Sequence, residues 1–300
     1  MCGAIRSAAT AGRLCRAEAG PPRGGRERGS IYAAGVTIPR LLTIAGSDSG
    51  GGAGIQADLK AFARCGCHGM SAITAITAQN TREVTAVYPL PPEAVVEQVR
   101  SVVEDIGVDA VKIGMLGTAD TILAVERALA LVRDAPVVID PVMVAESGAV
   151  LLDEDARDAL RDRLLPRATV VTPNLPEARV LTGAGDKAGA EELARMVHAL
   201  GPRAVVITGG HRDEATDVFF DGSEPVSIPG ERYADGAAHG SGCTHSSALA
   251  AHLARGFSPL EAARAAKEIA AEAVRHGLRE IGEGAGPVNV LGLDPGSAPT

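Results

Sequence analysis

The chain has 300 residues, 46% of them hydrophobic, and a formal net charge of −8 with no long basic run in its body. That is material for one large α/β domain or two small ones, and the acidic balance argues against a nucleic-acid partner. With no Trp, 3 Tyr and 4 Phe there is no stacking platform for bases, and no run of about eighteen apolar residues is present to span a membrane.

Residues 1–38 differ from the rest. Arg6, Arg13, Arg16, Arg23, Arg26 and Arg28 sit among Ala and Gly, interrupted by Pro21-Pro22. The apolar core of a signal peptide is missing, and Glu18 and Glu27 weigh against a transit peptide, so the segment reads as a disordered leader or an over-extended start. Cys2, Cys15, Cys65, Cys67 and Cys243 are an odd number in a long chain, which fits a reducing cytoplasm better than a disulfide framework. Cys65-Gly-Cys67-His68 has no second Cys or His pair at zinc-binding spacing, and reads as small buried thiols beside a turn.

An apolar run at 41–45 predicts a buried first strand. Gly46-Ser-Asp48-Ser-Gly50-Gly51-Gly52-Ala-Gly54 follows, and then Ile55, Leu59 and Phe62 mark one face of a helix. Strand, glycine loop and helix outline a phosphate loop, yet no Gly-Lys-Ser/Thr occurs anywhere. Gly52-x-Gly54-x-x-Ala57 matches the dinucleotide fingerprint only loosely, because no acidic residue follows a second strand about 20 positions on. Asp58 lies on this helix near the loop, as a ligand-facing or a solvated acid.

Further strands are predicted at 71–78, 110–115, 137–139, 169–171 and 204–207. Helices are predicted at 95–103, 119–133, 154–165 and 190–200, and a hairpin at 217–228 turns around Asp221-Gly222. Two helices, 244–255 and 259–276, close the body. Strands alternating with helices imply a mainly parallel sheet covered on both faces, with ligands beyond the carboxyl ends of the strands. Asp48, Gln79, Met115, Asp140, Asn174 and Gly209 follow successive strands, which points to a single site.

His239-Gly240-Ser241-Gly242-Cys243-Thr244 opens the alanine-rich helix. Free N–H groups at a helix start favour negative charge, and glycines let the backbone approach a ligand. The stretch reads as an anion hole with a thiol at its edge, whose pKa a helix N-terminus can lower; a plain glycine turn is the alternative. Asp140, Asn174 and Glu177 offer hard oxygen atoms suited to Mg²⁺. Each also has a structural explanation, since Asp140-Pro141 can end a strand and Asn174-Leu-Pro-Glu177 can cap a helix. Together they suggest phosphoryl transfer outside the P-loop class.

These residues, with Ala45-Gly-Ser-Asp-Ser-Gly-Gly-Gly-Ala-Gly-Ile-Gln-Ala-Asp-Leu-Lys60, Gly69-Met-Ser-Ala-Ile-Thr-Ala-Ile-Thr-Ala-Gln-Asn-Thr81, Lys112-Ile-Gly-Met-Leu-Gly117 and Val138-Ile-Asp-Pro-Val-Met143, give the chain its family likeness. It resembles the hydroxymethylpyrimidine/phosphomethylpyrimidine kinases of thiamine biosynthesis, in the ribokinase-like superfamily, over about 40–292. The resemblance implies a three-layer αβα sandwich with a central mainly parallel sheet, as a kinase domain at 39–294 followed by a tail at 295–300. It implies two successive ATP-dependent phosphorylations of the pyrimidine, in a cytoplasmic homodimer. By motif position, Asp58 and Gln79 would recognise the pyrimidine and Met115 and Val142 would line its pocket. Asn174 and Glu177 would organise Mg²⁺ with help from Asp140, and Thr208 and Gly210 would contact ATP. Gly240, Ser241 and Gly242 would form the hole, with Cys243 as a base or as one more main-chain donor. Thr208 stands where many relatives carry a phosphate-contacting lysine, so Lys60 or Lys112 would have to reach in, or Mg²⁺ and N–H groups would carry more of the charge. His245 stands where relatives have an apolar residue and receives no role. Competing expectations are a pyridoxal kinase and a catalytically silent pyrimidine-binding regulator.

Overall fold

The computed structural model describes residues 37–132, 134–145, 147–209, 215–233 and 237–294. The expected leader up to residue 36, the tail at 295–300, and Gly210 lie outside the described residues.

β-branched and aliphatic runs flanked by glycine or proline become strands. In chain order these are β1 (Arg40–Asp48), β2 (His68–Gln79), β3 (Val84–Pro89), β4 (Ala110–Ile113), β5 (Val137–Ile139), β6 (Val170–Val171), β7 (Val205–Ile207), β8 (Asp217–Phe220) and β9 (Val226–Ile228). They form one sheet in the order β3-β2-β1-β4-β5-β6-β7-β8-β9. Pairings from β2 through β7 are parallel, and β3, β8 and β9 attach antiparallel at the two edges.

The helices are α1 (Gly54–Arg64), α2 (Pro92–Asp105), α3 (Ala119–Leu129), α4 (Glu154–Ala159), α5 (Leu175–Thr182), α6 (Ala190–His198), α7 (Ser241–Ala254) and α8 (Pro259–Arg275). Their starts follow capping chemistry. Pro92 and Pro259 occupy first-turn positions where no N–H is needed, and Ser258 with Glu261 forms a capping box.

Side-chain alternation along each strand divides the core into two layers. Leu42, Val111, Val171 and Phe220 face the side covered by α2 to α6. Their neighbours Leu41, Ala110, Val170 and Phe219 face α1, α7 and α8. Each fully buried Leu, Ile, Val or Phe contributes about 1.5–3 kcal/mol by leaving water, so the sheet is anchored from both faces. This is the expected three-layer αβα sandwich of ribokinase type. No helix among the described residues is long and apolar enough to cross a membrane.

Two elements differ from expectation. The helix foreseen at 154–165 ends at Ala159 and continues as a wide turn, Leu160–Leu164, then a tight one, Leu165–Arg167. Pro166 has no N–H to donate and its ring crowds the carbonyl four residues back, so the helix cannot hold its pitch. Strand β3 was not foreseen; most of its residues are solvent-exposed and it carries no clear apolar alternation.

Candidate functional site

The β1–α1 turn is organised by its own aspartate. Asp48 accepts N–H donors from Gly50 (2.8 Å), Gly52 (3.0 Å) and Ala53 (2.8 Å), and its Oδ2 lies 3.1 Å from His239 Nε2. Burial opposes the carboxylate charge, but the His239 contact and the main-chain donors outweigh it and hold the pKa below the usual carboxylate value. His239 leads directly into Gly240, the residue that caps α7 with φ +85°. A Cβ at Gly240 would run into the Gly52 carbonyl. Only glycine permits both this backbone conformation and this approach. The two glycine turns, 188 positions apart in the chain, therefore form one surface.

At the start of α7 the Ser241 N–H turns back onto the Ala238 carbonyl at 2.9 Å. Gly242 and Cys243 are then the first-turn positions whose N–H groups have no carbonyl four residues back within the helix. Gly242 is exposed, and the nearest heavy atom to a Cβ placed there would be Asp140 Oδ2, 3.9 Å away. The space in front of these N–H groups is thus faced by a carboxylate.

Asp140 directly follows β5 and accepts from Ser246 Oγ at 3.0 Å. Burial pushes its carboxyl pKa up, against the pull of the Lys112 ammonium. Glu177 forms a reciprocal capping box with Asn174: each side chain accepts the other's N–H at 2.9 Å. Burial, then the charge of Asp140, pushes Glu177 up to about 8. Lys112 is fully buried beneath the same region, 2.8 Å from Asp58 Oδ1. Burial disfavours its charge, but Asp58, Cys243 and Asp140 more than compensate and the pKa is raised.

Gly240, Ser241, Gly242 and Cys243, with Gln79, Met115, Val142, Asp140, Asn174, Glu177 and Thr208, all line one cavity of about 420 Å³. The capping box of Asn174 and Glu177 thus coexists with a place on the cavity wall.

Asp58 is the exception. It is neither a solvated acid nor a cavity wall: it is fully buried, and Lys112, Ser247 Oγ (2.7 Å) and Thr43 Oγ1 (2.6 Å) take up its oxygens. The expectation that it contacts a pyrimidine finds no support in this geometry, in which an opposite charge on β4 holds it in the core. A helix N-terminus can lower a thiol pKa, but at Cys243 that influence does not prevail. Burial pushes the thiol up to about 12; Lys112 and the Gly54 N–H oppose this, and Asp58 and Asp140 add to it. Lys60 is tied to the Gly51 carbonyl at 2.7 Å, whereas Lys112 does reach the cavity wall.

Sequence reading placed Asp48 and His239 near the site but missed their contact, which spans 191 positions. It gave no role to Asp217, His245 and Lys267, which line the far end of the cavity. The only sequence signal among them was a histidine at 245, where an apolar residue was expected. Cys65 and Cys67 are buried free thiols, as read from the sequence.

Main-chain donors at a helix start, acids at neighbouring strand ends and an αβα sandwich without a Gly-Lys-Ser/Thr loop define a small-molecule kinase outside the P-loop class. Residues 48–289 match the phosphomethylpyrimidine kinase family, and the chain belongs to that family. It is 50% identical over 257 residues to the hydroxymethylpyrimidine/phosphomethylpyrimidine kinase of Streptomyces coelicolor, covering 85% of this chain and 95% of that one. It is 51% identical over 254 residues to the protein of the same name from Rhizobium meliloti, covering 83% and 95%. Among solved structures, the pyridoxal kinase of Staphylococcus aureus in complex with AMP-PCP and pyridoxal is similar, with a TM-score of 0.77, 36% identity, and coverage of 85% of this chain and 94% of that one.

Proposed function

We propose that the chain moves the terminal phosphoryl group of ATP onto the hydroxymethyl oxygen of 4-amino-5-hydroxymethyl-2-methylpyrimidine. It then phosphorylates the resulting monophosphate to the diphosphate, in thiamine biosynthesis. The observation that carries this reading is the meeting of the Gly242 and Cys243 N–H donors with Asp140 and Glu177 in one cavity. The alcohol oxygen forms the new P–O bond, the bond to ADP breaks, and the hydroxyl proton is released.

Each group in the cavity has a task in that transfer. The α7 N-terminus holds charge on the migrating phosphoryl group, as main-chain donors fixed in advance cost no reorganisation. With its thiol held protonated, Cys243 contributes chiefly through its N–H. Gln79 both donates and accepts, which suits an aminopyrimidine edge, and Met115 and Val142 offer apolar contact to the ring.

Asp140 and Glu177 fit Mg²⁺. Among the described residues no group of three or more His, Cys, Asp or Glu could hold a metal, but this ion keeps most of its waters and takes few protein ligands. Two neighbouring acids, one buried and one half-buried, whose pKa values are both raised are also the charge pattern a divalent cation relieves. When bound, the ion would neutralise phosphate charge. The assignment of Thr208 to ATP, a kinase domain over 39–294, a homodimer and a cytoplasmic location belong to the same reading.

Phosphorus NMR of the pyrimidine alcohol incubated with Mg-ATP tests the proposal. Monophosphate followed by diphosphate is expected. Pyridoxal phosphorylated with higher efficiency would favour the vitamin B6 reading that the Staphylococcus aureus neighbour suggests. Pyrimidine binding without any phosphorylation would indicate a silent regulator.

A further inference from the structure

The cavity has two ends. β5, which Asp140 directly follows, lies at the middle of the sheet, with β2, β1 and β4 on one side and β6, β7 and β8 on the other. Gln79 ends β2 and Met115 follows β4, on the first side; Asp217 opens β8, on the second, with His245 and Lys267 beside it. With the acceptor ring on the Gln79 side of the anion hole, the phosphoryl donor extends toward β7, β8 and α8.

That end is built of polar groups with unused bonding capacity. Asp217 is 1% exposed. Its Oδ1 receives Lys267 Nζ at 2.6 Å and the Gly209 N–H at 2.8 Å. Its Oδ2 is buried and receives nothing. His245, whose side chain is 5% exposed, has no hydrogen-bond partner on either ring nitrogen, and its Nε2 lies 3.6 Å from Asp217 Oδ2. A buried polar atom left unpaired is costly, because it has lost water without gaining a partner. Three such atoms together at a cavity wall mark a place where a ligand completes the bonding. Ala270, Ala271 and Val274 of α8 line the same end and offer an apolar surface beside the polar one.

The charge of the cluster selects the ligand. Asp217 and Lys267 cancel each other. Burial lowers the His245 pKa, against the pull of Asp217 and with Lys267 adding to it, so the ring is neutral at neutral pH. A neutral imidazole offers one donor and one acceptor, and Asp217 Oδ2 offers only acceptance. The site therefore suits an uncharged group bearing N–H or O–H, and the free carboxylate oxygen disfavours a phosphate.

We propose that His245 and Asp217, the latter steadied by Lys267, read an uncharged hydrogen-bond donor on the nucleoside part of the phosphoryl donor and so set the enzyme's nucleotide preference. The proposal rests on the kinase reading above and adds the specificity determinant. Two groups share the required chemistry, an exocyclic amine of the base and a sugar hydroxyl.

The test is kcat/KM of the full chain with ATP, ITP, 2′-deoxy-ATP and 3′-deoxy-ATP at saturating pyrimidine alcohol. The wild-type enzyme is expected to lose about tenfold or more with the analogue that lacks the group being read, because a site with buried polar atoms rejects a ligand that leaves them unpaired. Loss with ITP identifies the amine; loss with a deoxy analogue identifies the hydroxyl. His245→Leu and Asp217→Asn are expected to shrink that ratio to about threefold or less, with a larger change in KM for ATP than for the alcohol. His245→Leu removes a ring that makes no hydrogen bond, so it carries the test if Asp217→Asn fails to fold. Equal use of all four donors by the wild-type enzyme, or an unchanged ratio in His245→Leu, would overturn the subsite and reduce the cluster to an internal His–Asp contact. No product from any donor would overturn the kinase reading and the subsite with it.

Discussion

Gly242→Ala separates the anion hole from the fold. Gly242 lies in the first turn of α7 and is not among the glycines with positive φ, so alanine fits its backbone. The added methyl group would find no heavy atom nearer than Asp140 Oδ2 at 3.9 Å, an ordinary contact distance. Alanine is preferred over glycine within a helix by up to about 1 kcal/mol, less so at a helix end. For a chain of this size that corresponds to an unchanged Tm or a rise of roughly 2 °C. The same methyl group stands beside the Gly242 N–H and crowds a phosphoryl group drawn to it, so the donor is retained but its ligand is displaced. Weakening one preorganised donor in this way costs up to about 10²–10³ in kcat. The assay pairs thermal unfolding with initial rates at saturating ATP and alcohol. A stable variant whose kcat stays within about threefold of wild type would refute the assignment of the hole. Gly240→Ala makes no such separation: its φ of +85° and the Gly52 carbonyl penalise any side chain, so stability and activity fall together.

Cys243→Ala is expected to keep ATP binding, by titration calorimetry, and to lower turnover by less than about tenfold, since a thiol held near 12 is not poised as a base; a loss within the 10²–10⁴ range of general-base catalysis would restore that role. Asp48→Asn is expected to destabilise by about 1.5–3 kcal/mol in urea unfolding, as the charged acceptor of three main-chain donors is lost. Because the folded Asp48 pKa lies below its reference of 3.8, its contribution is full above that pH and fades as pH falls through the folded value. The gap between wild type and Asp48→Asn should therefore narrow below about pH 4, and a gap that widens there would contradict the assignment. Lys112→Met leaves Asp58 buried without its counter-charge and is expected to cost about 3–5 kcal/mol, while Lys112→Met combined with Asp58→Leu recovers much of it; a double variant as unstable as the single would show that the pair is not the cause.

What the sequence disclosed and what it hid follow the range of the interactions. β5 and β7 are unbroken apolar runs between turn residues, and the glycine turns stand next to each other's partners only after folding. Period and punctuation were therefore enough for the layers and for the strand ends that carry Asp140, Asn174 and Glu177. β3 escaped because an exposed edge strand has no buried face to impose alternation on Val84–Pro89. The burial of Asp58 was not legible because it depends on Lys112, 54 positions away, and a helical acid near a glycine loop looks the same whether it faces solvent, ligand or core. The choice between the two readings of Cys243 was not legible because a helix N-terminus lowers a pKa only when burial does not outweigh it.

The most direct measurement is a crystal structure with a non-hydrolysable ATP analogue, Mg²⁺ and the pyrimidine alcohol bound. The terminal phosphate is expected within hydrogen-bonding distance of the Gly242 and Cys243 N–H groups, between the alcohol oxygen on the Gln79 side and the nucleoside on the Asp217 side. A terminal phosphate lodged away from the start of α7 would contradict the account.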